Sequence, residues 1–229
     1  MSRAFLAALH LSGLRCVVVG SDREAADKTR RLLDAGAAVT LVGDALSDAV
    51  AQELSSHGGS LTLARRAFTD ADLEPRPALV VVSPGDDALC ERLWAMSSER
   101  GFLLCCIDRP AWCHLTNVAV VEAGEVSIGL ASGGAVPGLL RRLREDLRAG
   151  LGGAFPAFTR YVADVRAMVA PSERRRAVAE ALSGFQVEVR VHLPLGWKDR
   201  WRALNPDRDE ASRATLPPAQ PADDPGETP

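Results

Sequence analysis

The sequence predicts an α/β protein in which a Rossmann-like parallel sheet domain is followed by a small second region and a helical C-terminal domain. Continuous apolar runs, such as residues 15–19 and 78–83, are typical of strands that are covered on both faces. Helical patterns separate these runs over residues 15–107, and such strict alternation predicts a parallel sheet flanked by helices. After residue 118 the alternation gives way to two short strands and then to helices.

The predicted elements follow one another closely. The strands of the first domain span residues 15–19, 38–42, 61–64, 78–83 and 102–107, and the helices between them span 23–35, 45–56 and 87–100. Two further strands, 118–121 and 126–130, flank a tight connection, and a helix begins near Pro137, a favoured first-turn residue. Helices over 157–170 and 172–182 come next, and residues 185–193 alternate in a way compatible with a short strand.

The composition excludes several classes of protein. The 229 residues are 47% hydrophobic and 25% charged, which is ordinary for a globular chain, and the net charge of −3 argues against bulk nucleic-acid binding. No apolar run approaches the roughly 20 residues that cross a bilayer. The five cysteines are an odd number in a long chain and do not indicate a disulfide framework. We therefore expect a cytoplasmic protein with no membrane and no nucleic-acid partner.

The turn after the first strand reads Gly20-Ser21-Asp22-Arg23-Glu24-Ala25, at the place where a dinucleotide fold has the pattern G-x-G-x-x-G/A. The first and last positions fit, but Asp22 replaces the middle glycine. Its carboxylate would repel a pyrophosphate, or it could instead cap the following helix. Asp44 follows the second strand, where an acidic residue usually holds the ribose hydroxyls of NAD, although it could also cap a helix starting at Ala45.

These two loops predict NAD as the cofactor. The residues that we assign to its binding are Gly20, Ser21, Arg23, Glu24, Asp44 and Ala45. A metal site is a weaker alternative, suggested by Cys105, Cys106 and Asp108 together with Cys113 and His114. We predict no resident metal, because the neighbouring residues Cys105 and Cys106 would point to opposite faces of a strand.

Three segments in order resemble the precorrin-2 dehydrogenase/sirohydrochlorin ferrochelatase family, which is also the N-terminal module of siroheme synthase. They are LRCVVVG with KTRRLLDAGAAVTLV at 14–42, FLLCCIDRP at 102–110, and VSIGLASGGAVPGLLRRLRE at 126–145. Arg160-Tyr161 and the run SERRR at 172–176 are also similar to the family, so the resemblance covers roughly residues 10–183.

The resemblance implies a homodimer that oxidises precorrin-2 to sirohydrochlorin with NAD⁺ and, in many members, inserts ferrous iron as a second substrate. It implies that Asp108 is the catalytic carboxylate and that Ser132, Gly133 and Gly134 contact the tetrapyrrole. It also implies three regions: a dinucleotide-binding domain at 1–115, a dimerisation and tetrapyrrole-contacting region at 116–150, and a helical domain at 151–204. Residues 205–229 contain six prolines and no aromatic residue, and this composition predicts a disordered tail.

Several residues depart from the family's pattern. Besides Asp22, the family's acidic pair after the fourth strand is replaced by Ser83-Pro84-Gly85-Asp86-Asp87, and Arg109 follows the catalytic aspartate. The first two of these changes lie near the expected cofactor path. Asp22 in particular leaves an alternative open, namely a diverged homologue that binds a tetrapyrrole and has lost NAD. For Asp108 itself, the alternative is a purely structural role in starting the turn before Pro110.

Overall fold

The structure is a computed structural model that describes residues 5–55, 60–83 and 86–204. The contacts within the chain divide it into one unit of residues Met1–Ala177 and a second of residues Val178–Pro229. The predicted tail at 205–229 lies outside the described residues. The finer division into four regions stays a prediction.

The first unit is built on a parallel sheet of five strands in the order β3-β2-β1-β4-β5. The strands are β1 (Arg15–Val19), β2 (Ala38–Val42), β3 (Leu61–Ala64), β4 (Leu79–Val82) and β5 (Leu103–Cys106). Strand order reverses where β4 returns to the other side of β1, so the sheet has a topological switch point between these two strands. The predicted Rossmann-like fold is confirmed.

The sheet is buried on both faces because its side chains alternate between two apolar clusters. On one face Cys16 and Val18 of β1 pack with residues of α1 (Arg23–Asp34) and α2 (Asp48–Ser55). On the other face, Val17 and Val19 pack with residues of α3 (Asp87–Arg100) and of the short 3₁₀ turn Asp70–Leu73. This double burial is the reason that the strands consist of nearly unbroken apolar residues.

The outer edge of β5 is covered by a short antiparallel contact. Cys113 pairs with Cys105, and the amide N–H of His114 donates to the carbonyl of Leu104 at 2.9 Å. The Nδ1 atom of His114 accepts from the Leu104 amide at 3.1 Å, and its ring stacks on Trp94 with 4.3 Å between centroids. The edge strand therefore has partners on both sides.

The second part of the first unit is a hairpin with helices beside it. Strands β6 (Ala119–Ala123) and β7 (Val126–Leu130) are antiparallel, and α4 (Pro137–Gly150) and α5 (Phe155–Met168) follow. Gly124 in the hairpin turn has φ +65°, and a Cβ there would lie 2.2 Å from the hydroxyl oxygen of Thr159. That hydroxyl accepts from the Glu125 amide at 3.0 Å, so it fixes the turn against α5.

Three elements differ from the sequence prediction. Helix α2 begins at Asp48 rather than at Ala45, since residues 43–47 form an irregular connection in which the Ala45 amide donates to the Ser21 hydroxyl oxygen. Residues 185–193 form no strand within the described part of the chain, and their alternating valines are exposed. The helices α6 (Arg174–Ala181) and α7 (Trp197–Leu204) complete the described chain, and α7 was not predicted. Among the described residues, no helix has the length and apolar character that crossing a membrane requires.

An ion pair between a buried aspartate and a half-exposed arginine holds the connection between β3 and β4. Arg66 binds both carboxylate oxygens of Asp72, at 2.6 and 2.7 Å, and the Thr69 amide donates to the same carboxylate at 2.9 Å. The Asp72 side chain is only 6% exposed. The hydrogen bonds from Arg66 are the main reason that the pKa of Asp72 is lowered to about 2, while burial opposes the shift.

Asp72→Asn is expected to destabilise the fold at pH 7 by roughly 1–3 kcal/mol, because the variant weakens a charge-assisted pair. A lowered carboxyl pKa contributes stability above the ordinary value of 3.8, and this contribution is lost as the pH falls from there to about 2. Urea unfolding at pH 7 and pH 2 should therefore show a large difference between the two proteins at pH 7 and a smaller one at pH 2. Equal differences at both pH values would contradict this assignment, and Asp34→Asn, at an exposed helix end, is the control.

Candidate functional site

The first cleft lies at the carboxyl ends of β1, β2 and β4, beside the switch point of the sheet. Its volume is about 810 Å³. Ligands of open α/β sheets bind in this position, where the loops after neighbouring strands separate. Of the predicted cofactor residues, Gly20, Ser21, Asp44 and Ala45 line this cleft, together with Asp22.

Glycines allow the loops of the first cleft to approach one another closely. A Cβ at Gly20, whose φ is +146°, would lie 1.7 Å from the carbonyl oxygen of Ser83. A Cβ at Gly43 would lie 2.3 Å from the Ser21 hydroxyl oxygen. That hydroxyl oxygen accepts from the Ala45 amide at 3.1 Å and so joins the loop after β1 to the loop after β2.

Asp22 is the N-cap of α1. Its carboxylate accepts from the Ala25 amide at 2.8 Å and from the Ser83 hydroxyl at 3.1 and 3.2 Å. The capping alternative raised by the sequence is therefore what the structure shows. The carboxylate also occupies the helix N-terminus, which in a dinucleotide fold is the site that favours the pyrophosphate.

Asp44 is exposed on the wall of the first cleft, four residues before the start of α2. The alternative that it caps a helix beginning at Ala45 is wrong, because the helix begins at Asp48. Its carboxylate is thus placed at the end of β2, where a ribose hydroxyl could be held.

The second cleft lies at the carboxyl end of β5 and has a volume of about 450 Å³. It brings together residues that are far apart in the sequence: Asp108 on one side, and Ser132, Gly133 and Gly134 on another. The start of α1 contributes Glu24 and Lys28 to the same cleft. The predicted catalytic and tetrapyrrole-contacting residues therefore share one cleft.

Asp108 has φ +60°, the left-handed region that aspartate and asparagine tolerate better than most residues. Among the described residues other than glycine, it is the only one with a positive φ. Such a conformation directly after a strand is common where a side chain is held for function. The neighbouring Arg109 is turned to α3, where its Nε lies 2.5 Å from a carboxylate oxygen of Asp87.

The Ser132-Gly133-Gly134 loop joins β7 to α4. Gly133 and Gly134 have φ values of +59° and +82°, and nothing lies within 4 Å of a Cβ placed on either. Glycine is thus required at both positions by the backbone conformation and not by a lack of space for a side chain. The Ser132 hydroxyl oxygen accepts from the Val136 amide at 3.3 Å, in front of the helix that starts at Pro137.

The buried thiols near the second cleft are poor nucleophiles. Burial raises the pKa of Cys105 to about 12, and the pKa of Cys106 is also raised by burial. Cys105 and Cys106 belong to the clusters on opposite faces of the sheet, as the strand pattern predicted. In residues 5–55, 60–83 and 86–204, no three metal-ligating side chains are grouped to hold an ion.

Comparisons with known proteins show which proteins the chain is similar to. Residues 7–119 match the family model described as "Putative NAD(P)-binding". The chain is 29% identical over 214 residues to Siroheme synthase of Methylococcus capsulatus, covering 91% of this chain and 44% of that protein. It is 31% identical over 187 residues to Siroheme synthase of Gluconacetobacter diazotrophicus, covering 79% of this chain and 40% of that protein.

The fold agrees with these relatives. The solved structure of SirC, precorrin-2 dehydrogenase, matches with a TM-score of 0.64 and 22% identity over 77% of this chain and 88% of that one. These matches support the resemblance of the chain to the precorrin-2 dehydrogenase family. It spans less than half the length of the two siroheme synthases that it matches.

The sequence did not predict that Glu24 and Lys28 line the second cleft. Glu24 was assigned to the cofactor but lies in the second cleft, because the second residue of α1 already faces the β5 side of the sheet. Lys28 was not singled out, although its place one turn after Glu24 on the same helix face was a signal. Arg23 is exposed at the first residue of α1, and it stays a predicted cofactor contact.

Replacing Asp22 by asparagine tests whether its charge opposes the cofactor. Asparagine caps a helix about as well as aspartate, so Asp22→Asn should keep the fold and remove only the negative charge at the helix N-terminus. We expect NAD⁺ to bind about two- to tenfold more tightly to the variant, as measured by isothermal titration calorimetry, because that charge repels a pyrophosphate. Asp34→Asn on the same helix is the control, and unchanged or weaker NAD⁺ binding by Asp22→Asn would contradict this.

Proposed function

We propose that this protein oxidises precorrin-2 to sirohydrochlorin and passes the hydride to NAD⁺. One observation carries the proposal: Asp108 and the Ser132-Gly133-Gly134 loop line a single cleft. Glu24 of α1 lines the same cleft, and the N-cap of that helix, Asp22, lines the first cleft. The proposal is further supported by the two siroheme synthases and by the shared fold of SirC.

Asp108 is the proposed proton acceptor. NAD⁺, when bound, supplies the hydride acceptor, so the chain must supply a base for the proton that the macrocycle also loses. Asp108 is exposed at the cleft, and its left-handed backbone places it at the carboxyl end of a sheet strand. A carboxylate within reach of the substrate is a suitable general base for this step.

The loop after β7 is the proposed site for the substrate's carboxylates. Amide N–H groups before a helix N-terminus suit anions, and the Ser132 hydroxyl adds a donor beside them. Gly133 and Gly134 keep this stretch free of side chains on the cleft wall.

The first cleft favours NAD over its 2′-phosphorylated form. Asp44 would hold the free ribose hydroxyls and repel a phosphate at that position. The two arginines after β3 are already paired: Arg65 lies 2.5 Å from Asp48, and Arg66 binds Asp72. Gly20 and Gly43 let the loops after β1, β2 and β4 lie close together around this cleft, whereas the carboxylate of Asp22 does not fit a tightly bound pyrophosphate.

Asp22 also favours a second candidate function, that of a homologue that binds a tetrapyrrole without catalysis. The two functions differ in NAD⁺ binding by the unmodified protein, which the non-catalytic homologue would lack.

Insertion of ferrous iron as a substrate is a further part of the proposal. It rests on the family resemblance and on Asp108, which could take up pyrrole protons.

Asp108→Asn is expected to abolish NAD⁺ reduction in the presence of precorrin-2, with a loss of at least about a hundredfold, because the amide cannot accept the proton. Asparagine tolerates the same left-handed backbone, so the melting temperature should stay within a few degrees of the parent. Absorbance at the NADH band measures the reaction, with Asp34→Asn as the control. Full activity of Asp108→Asn would overturn the catalytic role.

We also propose that the protein works as a homodimer through the hairpin and helix part of the first unit. None of the 14 residues of α4 is buried, and Leu139 and Leu143, one turn apart, are 56% and 37% exposed. On α5, Tyr161 and Met168 lie two turns apart and are 52% and 83% exposed. Apolar side chains in such rows mark surfaces that another protein covers.

Sedimentation equilibrium should give twice the chain mass of 24.4 kDa for the parent protein. Leu143→Glu would place a charge in the interface and is expected to shift the mass toward that of the monomer, while Leu195→Glu, at an exposed residue of the second unit, should not. A monomeric parent protein would contradict the dimer.

A further inference from the structure

Lys28 is an unusual residue for its surroundings. The chain has only two lysines, Lys28 and Lys198, while arginine supplies nearly all of its other positive charges. The Lys28 side chain is only 10% exposed, although it carries an ammonium group. Its place is on the wall of the second cleft, which also holds Asp108 and Ser132.

The partner of Lys28 is much less confined. Nζ of Lys28 lies 2.7 Å from a carboxylate oxygen of Glu24, whose side chain is 47% exposed. A second carboxylate, that of Asp27, is 4.0 Å away and is itself bound by Arg30 and Arg31. Glu24 can therefore turn into solvent at little cost, whereas Lys28 would be left as a buried charge without a close partner.

The positive charge of Lys28 also acts on Cys105, another residue of the second cleft. Burial raises the pKa of the Cys105 thiol, the largest effect, and the positive charge of Lys28 acts in the opposite direction. Cys105 and Lys28 line the same cleft. An incoming anion would therefore meet a poorly hydrated cation, to which it binds more strongly than to a surface lysine.

We infer that Lys28 anchors a carboxylate of the ligand in the second cleft, and that Glu24 holds this position until the ligand's carboxylate replaces it. The exchange keeps Lys28 paired in both states, because one carboxylate leaves as another arrives. A ligand must displace the Glu24 carboxylate from Lys28 to bind there, and a neutral ligand has no charge with which to replace it. The pair therefore favours ligands with several carboxylates. This inference rests on the proposed function in one respect, namely that the ligand is a tetrapyrrole with carboxylate side chains.

Binding of uroporphyrin III tests the inference without turnover. This stable porphyrin carries acetate and propionate groups, and its binding can be followed by fluorescence quenching in the absence of NAD⁺. We expect Lys28→Met to bind it about ten- to a hundredfold more weakly, as for the loss of a charge-assisted hydrogen bond. Lys28→Arg should restore part of the affinity. Lys198→Met removes the same charge from an exposed residue and should bind like the parent.

Glu24→Gln supplies an independent measurement with Lys28 intact. It removes the competing charge, so uroporphyrin III should bind about two- to tenfold more tightly, and this result is informative even if Lys28→Met folds poorly. Equal binding by the parent and by Lys28→Met, or unchanged or weaker binding by Glu24→Gln, would overturn the inference alone. If the parent binds no uroporphyrin III, the tetrapyrrole assignment fails and the inference fails with it.

Discussion

The close approach of the loop after β1 to the loop after β4 is the constraint on which the rest of this structure depends. The backbone of Gly20 lies so near the carbonyl of Ser83 that no side chain fits between them. Gly20 lies three residues before α1, whose N-cap Asp22 lines the first cleft and whose residues Glu24 and Lys28 line the second. Ser83, which follows β4, also donates its hydroxyl to the carboxylate of Asp22. The N-cap of α1 is therefore held against the carboxyl end of the sheet.

The strands could be predicted because burial on both faces requires apolar residues without interruption. The strands and the Rossmann-like class follow from that requirement alone, and both are confirmed. The predicted start of α2 was wrong, since the Ala45 amide is bound by the Ser21 hydroxyl of the loop after β1 and residues 43–47 form an irregular connection. Residues 185–193 show the reverse case, in which an alternating pattern forms no strand because no neighbouring strand pairs with it in the described chain.

The site could be predicted in part. Asp108 and the Ser132-Gly133-Gly134 loop were named from a resemblance, and their shared cleft follows from the way the hairpin returns to the end of β5. The place of Glu24 and Lys28 depends on the rotation of α1 about its axis, which is set by long-range packing. The sequence places Lys28 one turn after Glu24 on the same helix face, but it does not say which cleft that face lines, so these two residues could be assigned to the second cleft only from the structure.

The left-handed backbone of Asp108 also bears on how such a protein can evolve. Asparagine is the residue that replaces aspartate there with the least strain, and a single nucleotide change in the codon is enough to produce it. Natural selection on folding would therefore not remove that change, although the acid group would be gone. With the role that we propose for Asp108, a lineage could lose its activity by this change and still make a stable protein, which would give inactive paralogues a short route from an active ancestor.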